Sequence, residues 1–481
     1  MKKSFKIVYT ILFFTVCCLP LVLMPFFKND ASIEKRELTR MPSYLSEGRL
    51  NIQFSDQFES WFNDALPLRA YLLTGSNLIK GELLHASTSN VIVGKEGWLF
   101  FASESADYMN TSPMTDQQVQ AVSVTLSLLQ EQIENRGGHF TFVPVPNKSS
   151  VYGEYMPSNY QAGETSNLDR ITETLKKDGV SFTDMKAVMM AEKEDFLLYH
   201  ARDSHWNYRG AIIGYRAVMD SLGRPYPAYE DAAYTIEKTW RGDLDKLLYP
   251  VGGFMDDQVV FDIDHASFRF LRPQGASNSQ AQLQNFMSDR EDKDDYFVTK
   301  NTDLSDGSSL LMVRDSFGRA LLPFMIDCYE TATFRRTDVP DLANLAEGTD
   351  FVYEIAERNL IRVIETAPFM YAPKREGITA DTKCADLMLE AVADTTGYGR
   401  RIYGALPDDL PMGDGRVYLV LEQDGTEQIY EAFPIYEAKL LGGEGTNGFS
   451  ALLSDETGLE GTCRLSVIIG GIRYYCNDIQ L

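Results

Sequence analysis

The chain has 481 residues, too many for one ordinary domain, and its 44% hydrophobic and 12% aromatic content supplies packed cores and excludes a disordered chain. A formal net charge of -24 argues against nucleic acid, and against an anionic membrane surface, as the main partner.

The first stretch is set apart by its charge pattern. Lys2, Lys3 and Lys6 precede residues 7–27, IVYTILFFTVCCLPLVLMPFF, 21 positions without a charge. That is close to the ~20 residues a helix needs to cross a bilayer. The basic flank assigns the start to the cytoplasm and everything after Lys28 to the outside. A cleaved signal peptide is the rival reading. It would have a shorter apolar core and a small-x-small cleavage site, which PFFKNDAS does not clearly offer. The expectation is a single-pass anchor in the cell membrane over residues 1–30, with an extracytoplasmic body.

Residues 31–95 carry apolar positions at helical spacing, broken by Pro67. NVIVGKEGWLFF (90–101) reads as two short strands around a glycine turn. Residues 115–138 predict an amphipathic helix, with Thr115 as N-cap and Gly137-Gly138 at its end. HFTFVPVPNK (139–148) is a buried strand ending in a loop, and 168–185 a helix followed by a strand. NYRGAIIGYRAVMDSLG (207–223) is a helix capped by Asn207 and ended by Gly223. After a less regular, Asp- and Arg-rich insert over about 224–300, the alternation resumes with strand, turn and helix in 308–325 and strand and helix in 350–364. This alternation predicts an α/β body over 31–370, a parallel sheet with helices on both faces. From about residue 385, runs of period two separated by Gly, Asn and Asp turns predict an all-β sandwich over 380–481.

Cys17 and Cys18 fall in the apolar stretch, and Cys328, Cys384, Cys463 and Cys476 outside it, where disulfides are permitted. No Cys or His spacing fits a metal site, so none is expected. In CRLSVIIGGIRYYC a four-residue turn over 468–471 would set Cys463 opposite Cys476; a cross-strand disulfide and two free thiols both stay open.

Three loops hold triad-type chemistry. In DSHWN, Asp203 and His205 are two apart, so an extended backbone turns both to one face. A carboxylate beside an imidazole can fix its tautomer and stabilise the imidazolium. The plainer reading is hydrogen bonding around a helix start. In LLMVRDSFGRALLPF, Ser316 falls between an apolar strand and a helix, where open α/β sheets bind ligands and helix-terminal N–H groups can stabilise an oxyanion. The plainer reading makes Ser316 or Asp315 only a helix cap. In FVPVPNKSSVYGEYMP, Asn147 and Lys148 stand where a buried strand ends. An amide there could join an oxyanion hole, and the lysine could hold an anionic or carbonyl group; a turn residue and a solvated lysine are the alternative. His85, His139, His200 and His265 read as structural. Tyr430, Tyr436, Tyr474 and Tyr475 are candidates for a sugar-binding face or for strand cores.

The blocks VIVGKEGWLFF, PVPNKSSVYGEYMP, RDSHWNYRGA and MVRDSFG, preceded by FESWFNDALPLR, resemble in order and content the SGNH-hydrolase-like proteins of the alginate O-acetyltransferase AlgJ/AlgX type. The family named for its Asp-His-His-Trp motif is similar. The resemblance covers roughly residues 35–365. It implies Ser316 as nucleophile, His205 as its base and Asp203 as the partner of that base, with an acetyl group passing through acyl-Ser316 to a sugar hydroxyl. Arg314 stands where a Gly often precedes Asp-Ser and bears on the oxyanion geometry; with Asn147 and Lys148 it makes up the substrate-binding or oxyanion set. The implied partners are a polysaccharide acceptor and a multipass membrane O-acyltransferase as acetyl donor; no cofactor and no metal are implied. Sequence leaves two rivals: an acetylesterase with the same three residues, and a non-catalytic glycan-binding or assembly protein.

Overall fold

The structure, a computed structural model, describes residues 2–26, 39–46, 49–272, 296–342, 345–365, 370–376, 378, 383–407, 410, 415–435, 447–454 and 457–481. Helix α1 (Lys2–Leu23) contains Phe5–Leu23, 19 residues long and apolar enough to cross a membrane; a signal sequence passes the same test. Helices α2 (Phe54–Ala65) and α3 (Arg69–Leu78) are separated around Pro67, where Leu68 takes a left-handed φ of 62°. The hairpin β1 (Val91–Val93) and β2 (Leu99–Phe101) follows as the sequence suggests.

The α/β body begins with α4 (Asp116–Glu134), started by a reciprocal capping box between Thr115 and Gln118. Then come β3 (Phe140–Val145), α5 (Asn167–Asp178), α6 (Met185–Glu192) and α7 (Tyr208–Leu222). Asn207 caps α7 through its side chain, which accepts from the N–H groups of Arg209 and Gly210, and Gly223 closes it in the left-handed conformation. The strand expected after α5 is reduced to one bridge, Phe142 to Phe182. The insert forms β4 (Tyr234–Trp240), α8 (Asp243–Leu248), β5 (Asp256–Phe261), β6 (Phe268–Arg272) and β7 (Tyr296–Asn301). The body ends with β8 (Ser309–Arg314), α9 (Leu322–Cys328), β9 (Thr331–Arg336), β10 (Thr349–Ala356) and α10 (Arg362–Glu365).

The central sheet has the order β3-β10-β8-β9-β7-β6. It is not wholly parallel, as the alternation predicts. Strands β3, β10, β8 and β9 run parallel, but β7 and β6 add antiparallel to the edge. The antiparallel pair comes from the insert, β6 pairing with β7 and β7 with β9.

The pleat sorts side chains to the two faces. Leu310, Met312, Val143, Val145 and Val352 pack with α6, α7 and α9. Leu311, Val313, Phe140, Phe142, Phe351 and Tyr353 pack with α4, α5 and α10. Each fully buried aliphatic or aromatic side chain stabilises the fold by roughly 1.5–3 kcal/mol.

The C-terminal region is β-rich. Its strands are β11 (Lys383–Leu389), β12 (Ala391–Thr396), β13 (Gly399–Leu406), β14 (Val417–Gln423), β15 (Thr426–Ile435), β16 (Asn447–Leu453), β17 (Thr462–Ile469) and β18 (Ile472–Cys476). They form one hydrogen-bonded path, β11-β18-β17-β14-β15-β16-β13-β12, in which the long β15 continues from β14 to β16. One apolar core takes side chains from both ends of the path, including Ile402, Phe449, Leu419 and Val467. The sheet already takes in Lys374–Arg375, which pairs with β15.

The turn between β17 and β18 is shorter than expected. Gly470 and Gly471 both have positive φ, 55° and 76°, the two-residue turn that matches strand twist, and Ile469 pairs with Ile472. This register takes Cys476 out of line with Cys463, which instead pairs with Ile479 of the short strand Ile479–Gln480, and both cysteines are buried free thiols. Of the tyrosines considered for a sugar-binding face, Tyr430 and Tyr474 are buried, Tyr475 is exposed, and Tyr436 lies outside the described residues.

Candidate active site

Strands β3, β10 and β8 are parallel neighbours, so their carboxyl ends open on one edge of the sheet. Ser316 lies two residues past β8. Its φ of -71° and ψ of -24° are helical, and its hydroxyl makes no capping bond. Asp315 takes the local N–H groups instead: one oxygen accepts from Phe317 at 2.8 Å and the other from Ala356 at 2.9 Å. This leaves Ser316 Oγ available to His205 Nε2, at 2.9 Å.

His205 reaches that edge from the DSHWN loop. Its Nδ1 lies 2.8 Å from Asp203 Oδ1, and its backbone N–H donates to the same oxygen at 3.0 Å. The backbone here bends rather than running as the extended segment expected, and the Asp203 oxygen that accepts the His205 N–H is what brings the two side chains together. The second Asp203 oxygen accepts from Trp240 Nε1 at 3.0 Å and from the Asp243 N–H at 2.9 Å. Asp243 in turn accepts from the Ser204 N–H at 2.7 Å and from the Ser204 hydroxyl at 2.5 Å. One of its oxygens is 3.6 Å from His205 Nδ1. Trp240 also lies flat on the His200 ring, 4.8 Å between centroids and 7° between planes.

These contacts set the charges. Burial pushes the His205 imidazole down, but the hydrogen bond and charge of Asp203, with the charge of Asp243, outweigh it and raise the group above its ordinary value. Burial pushes Asp203 up, and its bond to His205 and the nearby histidine charges hold it well below the usual carboxylate range. The pair is arranged to stay ionised once the imidazole accepts a proton. Nδ1 held by Asp203 leaves Nε2 as the atom that faces Oγ, the tautomer a general base needs.

Ligating atoms of Asp203, His205 and Asp243 also lie within 4.8 Å of one another, close enough for a cation. Sequence spacing gave no hint of this group, because Asp243 is distant in the chain. The carboxylate oxygens already accept N–H and O–H bonds, and Nδ1 is directed at Asp203, so a cation would have to displace them.

The three residues expected to contact substrate or an oxyanion are turned to other tasks. Lys148 is fully buried, and its ammonium donates to the carbonyls of His200, Ala201 and Asp203 at 3.1, 3.0 and 2.6 Å. All three of its protons are committed, so it holds the DSHWN loop rather than a ligand. Burial pushes it down to about 8. Asn147 is buried too; its N–H donates to Glu357 at 2.8 Å and its side-chain amide to Asp107 at 3.3 Å. Its backbone N–H is therefore taken, and its side-chain amide is directed at Asp107. Arg314 is fully buried at the end of β8, with its guanidinium on the Asp315 carbonyl at 2.9 Å.

Other groups at the site escaped sequence reasoning. Trp240 and Asp243 belong to the insert, whose irregular pattern carries no periodic signal. Arg358 follows β10; its guanidinium lies 5.3 Å from the Phe317 ring and 3.8 Å from Glu104. Glu354 left a readable trace: it is an acid inside DFVYEIA, on a strand that is otherwise buried and mostly apolar.

Compared with known proteins, residues 91–252 match the family described as the SGNH hydrolase-like domain of the acetyltransferase AlgX. The matched span includes Asp203, His205, Trp240 and Asp243 and ends before Ser316. The chain is 22% identical over 209 residues to the probable alginate O-acetylase AlgJ of Pseudomonas syringae pv. tomato, 41% of this chain and 51% of that one. It thus spans about half the length of that curated relative. Among solved structures, a DHHW family protein from Eubacterium siraeum is 15% identical, with a TM-score of 0.43 over 57% of this chain and 93% of that chain. The O-acetyltransferase domain of Pseudomonas putida AlgJ is 17% identical, with a TM-score of 0.37 over 56% of this chain and 92% of that chain. The chain is similar to the AlgJ/AlgX-type SGNH hydrolase-like proteins, as its motifs suggest.

Proposed function

We propose that the protein is an O-acetyltransferase that moves an acetyl group through acyl-Ser316 to a hydroxyl of an extracytoplasmic glycan. The observation that carries this reading is the chain of two hydrogen bonds, Ser316 Oγ to His205 Nε2 at 2.9 Å and His205 Nδ1 to Asp203 at 2.8 Å. The similarity to a domain described as an acetyltransferase supports the choice of acyl group.

His205 Nε2 takes the Ser316 proton as Oγ bonds to the acetyl carbonyl carbon. The leaving alcohol of the donor receives that proton, and acetyl-Ser316 remains. A sugar hydroxyl then gives its proton to His205 while its oxygen attacks the acyl carbon. Collapse releases the O-acetyl sugar and returns the proton to Ser316. Asp203 stabilises the imidazolium in both halves and stays ionised. The donor in this reading is a multipass membrane O-acyltransferase, and α1 keeps the body beside it.

The test uses an acetyl-ester donor with and without an oligosaccharide acceptor. Wild type is expected to acetylate the sugar and Ser316→Ala to lose that activity by about 10³-fold or more. Normal sugar acetylation by Ser316→Ala would reject the mechanism, and release of free acetate alone, with acceptor present, would make the protein an esterase.

A further inference from the structure

The turn that carries Ser316 is held from beneath by an acid on the neighbouring strand. Glu354, near the end of β10, is buried, and its Oε2 accepts the N–H of Asp315 and the N–H of Gly318, each at 3.0 Å. These donors lie on either side of Ser316. Gly318 permits the approach: a Cβ there would lie 2.6 Å from Glu354 Oε2 and 2.8 Å from Arg314 Cβ. The Phe317 N–H goes to Asp315 and the Arg319 N–H to the Ser316 carbonyl. So the N–H groups of residues 315, 317, 318 and 319 all have acceptors, while among the described residues none accepts from the Ser316 N–H.

We propose that Glu354 is a positioning residue: by tying down the N–H groups on both sides of Ser316, it directs the free Ser316 N–H at the acyl oxygen as the oxyanion donor and fixes Oγ against His205. The inference rests on the acyl-serine reading above. A buried carboxyl that only filled space would be a poor choice, since an apolar side chain of that size avoids the desolvation cost. Burial and the neighbouring Asp315 carboxylate raise Glu354 well above the usual carboxylate range, which favours its neutral form as an acceptor.

The geometry separates three substitutions in the full chain. Glu354→Gln keeps an acceptor oxygen in place and is expected to lose no more than about threefold in kcat. Glu354→Asp withdraws the oxygen by one methylene, and Glu354→Leu removes it. Both are expected to lose about 10²-fold in kcat for an acetyl ester, the scale of one misplaced oxyanion donor, with KM within about twofold. Labelling of Ser316 by a fluorophosphonate probe should slow in parallel. Circular dichroism checks the fold, and the milder Glu354→Asp decides the question if Glu354→Leu does not fold. Folded Glu354→Asp with wild-type kcat would overturn the proposal, as would Glu354→Gln falling as far as Glu354→Asp. Failure of the probe to label Ser316 in wild type would overturn the acyl-serine reading itself. Labelled wild type with unaffected Glu354 variants would overturn only this inference.

Discussion

His205 answers to groups from three elements: Asp203 on its own loop, Asp243 at the start of α8, and Arg358 beyond β10, whose charge opposes the two carboxylates. Because its folded value is raised, protonated His205 adds stability that is fully present below the unfolded value of about 6.5. That stability is lost as pH rises through the folded value. Asp203 behaves in the opposite sense, adding stability above its unfolded value of about 3.9 and losing it as pH falls through its depressed folded value. The base-competent, neutral imidazole is therefore the less stabilised form, and activity should rise only above the ordinary histidine range. Asp243→Asn tests this directly. It keeps an acceptor for Ser204 but removes one of the two charges that raise His205, so the acid limb of kcat/KM should move to lower pH. A limb that stays in place would exclude electrostatic coupling at 3.6 Å. Asp203→Asn should be far more severe, about 10⁴-fold in kcat, because the tautomer itself is lost.

At the scale of elements, the site is the meeting of a regular scaffold with an irregular insert. The scaffold was legible in the sequence: the capping residues Thr115 and Asn207 and the apolar strand before Ser316 express local rules, whereas Asp203 and His205 meet through a bend and not through the extended segment their spacing suggests. The insert was not. Nothing in residues 234–243 says that Trp240 will reach Asp203, because that contact is made across a tertiary gap by a hairpin with few inward side chains. The same limit explains Lys148. A lysine after a strand reads as solvated, and only the folded loop supplies three carbonyls to hold it. Trp240→Phe is predicted to preserve the ring stacked on His200 and to lose the bond to Asp203. A bond to a charged acceptor contributes about 1.5–3 kcal/mol, so kcat should fall about 10- to 100-fold with the fold intact. Wild-type kcat in this variant would show that the insert holds Asp203 by its backbone alone.

For the whole molecule, two further parts of the chain accompany the α/β body. The first, the β-rich region, is tied to α4 by Arg375, which binds Glu131 of α4 at 2.6 Å and buried Glu431 of β15 at 2.7 Å, while Arg416 binds the other Glu431 oxygen at 2.6 Å. The second is α1, basic at its start and apolar beyond it. The net charge of -24 makes electrostatic adhesion of the body to an anionic bilayer unfavourable, so any lasting membrane contact must come from burial of α1. An anchor and a cleaved signal then differ in mass and in partition. The full chain expressed in a bacterial host is predicted to stay in the membrane fraction at high salt, with its N-terminal segment present by intact mass. Deletion of residues 1–30 should move the protein to the soluble fraction without changing fluorophosphonate labelling of Ser316, because among the described residues the contacts of Asp203, His205 and Ser316 do not involve α1. A mature full-length product that lacks those residues would replace the anchor by a signal sequence. Loss of labelling on deletion would instead tie α1 to the folding of the body.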